Sequence, residues 1–293
     1  MFCGNVSRVR RAYPGYEGAL VFTQKLRGST RREWRLYGHE AETFAVATMA
    51  SRTLRTMNSK PILLRATALG AGAVLAFASQ AHAASASGNA ALTTDYVWRG
   101  TTQTQGDPAV QAGFKLASDS GWYASVWGSN VEFAPELHAS SEFDFTAGWS
   151  GALTDAWALD ANLLHYRYPS TTSDLDWTEL NTTLTYDGRY WMSLGFSPDA
   201  LATDESGTYA QLGARFPIND AFRIEAVGGY YFLDQAYDES YAHGQLSAIW
   251  TVNAPALPVE LRVTAHGTDS GAKRIFGDEL AGSRIEAAVQ ASF

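Results

Sequence analysis

One cysteine, no long apolar run and few cations in its longer part are the first things this sequence offers. The single cysteine is Cys3, which excludes an intrachain disulfide and a cysteine-based metal site. No run of about 20 apolar residues is present to span a membrane as a helix. Cations are scarce only downstream: from Ala84 onward there are 10 Lys and Arg against 26 Asp and Glu, a net of −16, while the first 83 residues carry +8. Two stretches so different do not share one compact core. The acidic one offers no basic surface, so a nucleic-acid partner is not expected. Helical periodicity is also missing, and helix content is expected to be near zero. His138, His165, His243 and His266 are dispersed without ligand spacing, so neither a metal nor a cofactor is expected.

The charge asymmetry has a simple reading. From Met57 a short basic head with Lys60 and Arg65 precedes the apolar stretch from Ala66 to Ala78, which is followed by Ala81-His82-Ala83. That pattern is a Sec-type secretory signal peptide over 57–83, cleaved between Ala83 and Ala84. Residues 1–56 then precede a segment that normally begins a chain. They are read as an upstream extension, with Met57 as the true start and Met49 as the less favoured alternative. A twin-arginine signal at Arg31-Arg32 is rejected because the apolar stretch lies too far downstream.

From Ala84 the sequence is a succession of alternating segments. Phe143, Phe145, Ala147 and Trp149 oppose Glu142, Asp144 and Thr146; Phe222, Ile224 and Ala226 oppose Arg223 and Glu225. Period two of this kind marks strands with one apolar side. Together with runs at Leu92 to Trp98, Trp122 to Asn130 and Trp177 to Tyr186 it gives about twelve strands, each close to the ~10 residues a tilted spanning strand needs. Short, turn-rich links such as Asp187-Gly188-Arg189 alternate with longer polar ones such as Ser197 to Gly207. The fold class expected is all-β: a transmembrane antiparallel up-and-down β-barrel over 84–293, with short periplasmic turns and longer extracellular loops.

Aromatic residues mark both strand ends. Trp122, Trp149, Trp157, Tyr186, Tyr190, Phe216, Phe222, Trp250 and Phe293 lie beside the short turns, while Trp98, Tyr166, Tyr168, Trp177, Tyr209, Tyr230 and Tyr241 mark the opposite level. Two interfacial girdles are the expected outcome. With apolar faces toward lipid, the polar faces place Asp95, Arg99, Lys115, Glu142, Asp144, Asp160, Glu179, Arg215, Arg223, Glu225, Glu260, Arg262, Arg284 and Glu286 on the lumen side as pore-lining candidates. Asp95 and Arg99 are placed on one strand, ~13 Å apart at strand rise. Each is expected to pair with a neighbouring strand at the barrel seam.

The segments Leu92 to Phe114 (LTTDYVWRGTTQTQGDPAVQAGF), Gly121 to Phe133 and Glu142 to Gly151, with HYRYPS at His165 to Ser170 and DLDWTEL at Asp174 to Leu180, resemble the TorF-type family of proteobacterial porins. The likeness runs over nearly all of the chain after the leader. It implies a signal-bearing outer-membrane protein with a porin function, and it matches the family motif at Asp95, Tyr96, Arg99, Gly100, Gln103, Pro108 and Gln111. The 56-residue upstream extension departs from the family pattern.

Excess carboxylate on the lumen side and in the loops points to passive diffusion of small hydrophilic solutes or ions, with mild cation preference. The alternative is a non-conducting structural or surface-binding barrel whose acidic loops meet lipopolysaccharide or a basic partner. Catalysis, as an outer-membrane lipase or acyltransferase, is the least favoured reading. His266, Asp269 and Ser270 supply the residue types, but no G-x-S-x-G elbow holds them. The closing SRIEAAVQASF places Ile285, Ala287, Val289, Ala291 and Phe293 on one face. It is read as the strand that closes the barrel, with Phe293 as an assembly signal for the barrel-assembly machinery.

Overall fold

The computed structural model describes residues 84–169, 171–253 and 257–293. The expected extension (1–56) and leader (57–83), with the cleavage expected after Ala83, lie outside the described residues. Ala84 opens the first strand.

Twelve strands form a closed barrel. In chain order they are β1 (Ala84–Thr93), β4 (Ala109–Ser118), β5 (Trp122–Asn130), β6 (Ser141–Ala152), β7 (Trp157–Arg167), β8 (Trp177–Tyr186), β9 (Tyr190–Ser197), β10 (Gly207–Pro217), β11 (Phe222–Phe232), β12 (Tyr241–Asn253), β13 (Pro258–Thr268) and β14 (Arg284–Ser292). A two-stranded hairpin, β2 (Val97–Trp98) with β3 (Thr101–Thr102), lies between β1 and β4 and is not part of the wall. Every wall strand pairs antiparallel with its sequence neighbours, and β14 returns to β1, so the ladder has no free edge. The seam is short: β1 matches β14 over Asn89–Thr93 but β4 over its whole length. Backbone bonds in both directions between Gly88 and Phe293, at 2.8 and 2.9 Å, extend it to the end of the chain.

Alternation sorts the two faces. Leu92, Val110, Leu163, Leu212, Val263 and Ile285 are exposed on the outside, whereas Glu142, Glu179, Thr264 and Glu286 are buried within. A barrel in water would invert this order, since a continuous exposed apolar surface is not tolerated there. At one end the turns are short. Asp187 and Gly188 both take positive φ, 51° and 62°, which gives the tight primed turn that suits right-twisted strands. At the other end lie the long connections 94–108, 131–140, 168–176, 198–206, 233–240 and 269–283. The apolar core gathers under these loops, where Phe133, Leu201, Leu233, Ile275 and Phe276 pack with Tyr166, Trp177, Tyr231 and Tyr241.

Two expectations need correction. The first strand is Ala84–Thr93, not Leu92 to Trp98. The hydroxyl of Thr93 lies within hydrogen-bond distance of the Asp95 carbonyl, at 2.8 Å, and of the Glu286 carboxylate, at 2.9 Å, and the chain turns out of the wall there. Helix is also present in the loops, as α1 (Asp234–Tyr237) and α2 (Ser270–Phe276). The Asp269 carboxylate caps α2 by accepting from the amides of Gly271 and Ala272. Such short helices have too few turns to leave a periodic signature.

Candidate functional site

The inward-pointing charges form layers. Beside the short turns, Arg215 and Arg223 both reach Glu225, at 2.7 and 2.9 Å, and Arg223 also holds Glu260 at 2.7 Å. Asp160 accepts from the Tyr123 hydroxyl at 2.9 Å, and the Lys115 ammonium lies 3.6 Å from the centre of the same tyrosine ring. Halfway up, Glu286 meets Arg262 at 3.4 Å and His266 Nε2 at 2.9 Å. Glu142 and Asp144 stand two apart on β6; Glu142 Oε2 and Asp144 Oδ1 are buried with no hydrogen-bond partner among the described residues. A polar cavity of about 350 Å³ runs between these layers, lined by Asp144, Glu225, Gln245, Arg262, His266 and Glu286. Its roof is Asp95, Tyr96 and Val97.

That roof belongs to the 94–108 connection, which folds inward instead of projecting beyond the wall. Asp95 organises it. One carboxylate oxygen accepts from the hydroxyls of Thr102 and Thr104, and the other accepts from Arg284 at 3.0 Å. The Gln103 amide donates to the Tyr96 carbonyl at 2.7 Å, and the Thr102 amide to Leu280 at 3.0 Å. So tied, the β2–β3 hairpin carries Trp98 and Arg99 across the lumen. Trp98 meets Tyr166, Trp177 and Tyr231 edge-on at about 6 Å. Arg99 Nη2 donates to both oxygens of Glu179 at 2.7 and 2.9 Å. Burial alone would lower the affinity of Arg99 for its proton, but the Glu179 carboxylate more than reverses this, and the guanidinium is held above its ordinary value.

Asp95 and Arg99 therefore do not share a strand. The seam pair exists for Asp95, which reaches Arg284 on the last strand. Arg99 instead crosses to β8, because the hairpin carries it away from the wall. The second aromatic girdle is also not found as expected. Tyr166, Tyr168, Trp177, Tyr209 and Tyr241 are buried, and Trp98 packs on them, while Tyr230 is exposed. Strand parity held the signal: Tyr166 shares its face with Asp160, Trp177 with Glu179, and Tyr209 with Arg215. At the short-turn end Trp122, Trp157, Tyr186, Tyr190, Phe216, Trp250 and Phe293 are exposed on the outside, while Trp149 and Phe222 are half-buried.

The acidic loops are largely occupied with their own architecture. Asp199 accepts from the Asp204 amide at 2.7 Å, Arg274 pairs with Glu239 at 2.5 Å, and Lys273 with Asp278 at 3.0 Å. Arg274 holds the Glu239 carboxyl below the usual range. The residues weighed as a catalytic set are engaged separately. His266 faces Glu286, Asp269 caps α2, and the Ser270 hydroxyl accepts from Arg274 at 2.9 Å.

Residues 77–285 match a family described as a bacterial protein of unknown function (Gcw_chp), a description that does not extend to the TorF-type resemblance. Among curated proteins no sequence matches this chain. Similar solved structures include the KdgM porin in complex with disordered oligogalacturonate, with 7% identity, TM-score 0.46, and coverage of 71% of this chain and 98% of that one. The NanC porin is 10% identical, with TM-score 0.44 and coverage of 71% and 99%. The outer membrane protein OprD from Pseudomonas aeruginosa is 14% identical, with TM-score 0.34 and coverage of 71% and 64%.

Proposed function

We propose that this chain, which belongs to the Gcw_chp family, is an outer-membrane porin for small hydrophilic solutes, constricted by its own first loop. One observation carries the reading: a charged cavity of about 350 Å³ lies inside a closed barrel whose outer face is apolar. Such a face belongs in an acyl layer, with the exposed aromatics of the short-turn end at one lipid interface. Short turns then face the periplasm and the long loops face outward toward lipopolysaccharide. In this reading the barrel-assembly machinery receives the chain by its last strand and Phe293.

Charge bookkeeping supports a mild cation preference. Five of the six inward cations, all but Lys115, are matched to carboxylates, whereas Asp144 and Asp160 have no ion-pair partner among the described residues. Surplus carboxylates in a narrow polar lumen favour cations. The roof formed by Asp95, Tyr96 and Val97 supports small, brief openings in the wild-type barrel. It is also the observation that favours the second reading, a closed structural barrel.

Single-channel recording in planar bilayers separates the two. The wild-type protein is expected to give short, small, cation-selective steps, and Asp95→Asn, which loses the charged tie to Arg284, longer and larger ones. Silence from both variants would favour the structural barrel, and anion selectivity would overturn the charge bookkeeping.

A further inference from the structure

Arg99 sits in a receptor that the wall provides. Its guanidinium carbon is 3.8 Å from the centre of the Tyr209 ring, 4.7 Å from that of Tyr231 and 4.4 Å from that of its neighbour Trp98. Both Glu179 oxygens lie within 3 Å of Nη2. The Arg99 and Glu179 side chains are only 9% and 1% exposed. Aromatic faces attract weakly hydrated organic cations, and a carboxylate beside them adds charge-assisted hydrogen bonds that suit a guanidinium. Three wall strands supply this receptor: Glu179 on β8, Tyr209 on β10 and Tyr231 on β11. Behind it Tyr166 stacks on Trp177 at 4.2 Å, and His243 lies parallel to Tyr209 at 5.8 Å.

Its occupant comes from a separate element. The hairpin enters from the seam, where Asp95 ties it to Arg284, and only its tip reaches the receptor. That tip is a two-residue turn with positive φ at both positions, and Arg99 takes the first at φ 46°, where Asn, Asp or Gly is the usual residue. Gly100 follows at φ 84°, and a Cβ there would meet His243 and Thr268 at 2.7 Å. Such a turn does not by itself call for an arginine; the receptor contacts account for one. The fit is also incomplete, since Arg99 Nη1 is buried without a hydrogen-bond partner among the described residues.

We infer that Glu179, Tyr209 and Tyr231 form a binding site for the guanidinium group of small solutes, which Arg99 fills as a tethered internal ligand. A solute of this kind competes with Arg99 and frees the hairpin from the lumen. The tether gives Arg99 a high effective concentration, so the wild-type barrel binds free guanidinium weakly. The solute class deepens the porin reading and rests on it for transport, but binding itself can be read in a barrel that passes no current.

The test is a titration of the folded barrel in detergent with methylguanidinium chloride, against sodium chloride at matched ionic strength, read by the fluorescence of Trp98 and Trp177. Arg99→Ala is expected to bind methylguanidinium saturably and at least roughly ten-fold more tightly than the wild-type protein, and Arg99→Ala with Glu179→Gln to lose that binding. A response in Arg99→Ala that does not saturate, that sodium reproduces, or that persists with Glu179→Gln would overturn the site. Arg99→Gln is the second variant if Arg99→Ala does not fold. Were neither to fold, refolding rescued by methylguanidinium but not by sodium would support the site, and no rescue would count against it. In bilayers methylguanidinium should block the open Arg99→Ala channel. Binding without current would fault the pore reading alone, and current without binding would fault the site alone.

Discussion

The two ends of the lumen use the same chemistry under different conditions. Beside the short turns Arg215, Arg223, Glu225 and Glu260 form a chain of pairs whose side chains stay 18% to 44% exposed. Beneath the loops Arg99 and Glu179 form one pair that is almost wholly buried and walled by rings. An exposed pair is screened by water and contributes about 0–1 kcal/mol. Removing one partner of a buried pair leaves an uncompensated charge and costs about 3–5 kcal/mol. The lower layer can thus change its charge without moving the wall. The upper layer is a two-part lock whose halves belong to the hairpin and to β8.

Breaking the lock is the largest effect expected. Glu179→Ala leaves the Arg99 guanidinium among aromatic rings with no counter-charge, at about 3–5 kcal/mol. Because the wall strands keep all their ladder bonds, the loss should fall on the hairpin and not on the barrel. Hydrogen exchange reads this directly. The amides of Thr102 and Gln103, bonded to the carbonyls of Leu280 and Tyr96, should lose protection while those of β11 and β12 keep theirs. Uniform loss over both would show that the pair supports the wall and would erase the distinction between the ends.

A second test falls on the seam. A Cβ at Gly88 would lie 2.6 and 2.8 Å from ring atoms of Phe293, so the ring reaches over a glycine of the first strand. An aromatic covering a strand glycine across a pair stabilises pairing that the glycine weakens. Gly88→Ala should push the exposed ring away and cost about 0.2–1 kcal/mol, the range for one cross-strand pair. Urea unfolding in lipid vesicles should show a lower midpoint for Gly88→Ala. Adding Phe293→Ala to it should restore little, since the ring would already be displaced. An unchanged midpoint would mean that the five-pair match of β1 to β14 closes the barrel without its last residue.

The wall was legible in the sequence, and the hairpin was not. Alternation over Phe143 to Trp149 or Phe222 to Tyr230 fixes the two faces, because a strand has only two sides and the solvent preference of each is strong. Turn chemistry at Asp187-Gly188 fixes where strands reverse. Nothing local distinguishes Tyr96-Val97-Trp98 from another alternating strand. Its inward fold depends on Asp95 finding Arg284 and on Arg99 finding Glu179, contacts that span 189 and 80 residues. The aromatic receptor was half visible. Tyr166, Trp177 and Tyr209 read as one interfacial level by position, while their parity with Asp160, Glu179 and Arg215 points inward. Level and parity conflict there, and parity wins, because a side chain's face is set by its own backbone.

The smallest structural effect, and the sharpest functional one, is expected at the lower layer. In Glu260→Gln, Arg223 keeps Glu225 at 2.9 Å, and an amide oxygen remains to accept from its guanidinium. The stability change should stay within about 1 kcal/mol, as for other half-exposed pairs, and the urea midpoint should move little. One negative charge is nevertheless gone from a confined lumen, where charges act on passing ions over a Debye length of about 8 Å at physiological salt. The reversal potential in a salt gradient should shift toward anions, and the shift should shrink as salt is raised. Glu179→Gln gives the opposite pattern if the two ends differ as proposed: a large loss of hairpin order, and a change of selectivity that follows the opening of the roof more than the missing charge. Equal and salt-insensitive shifts in both variants would mean that one common constriction, not two distinct layers, sets what passes.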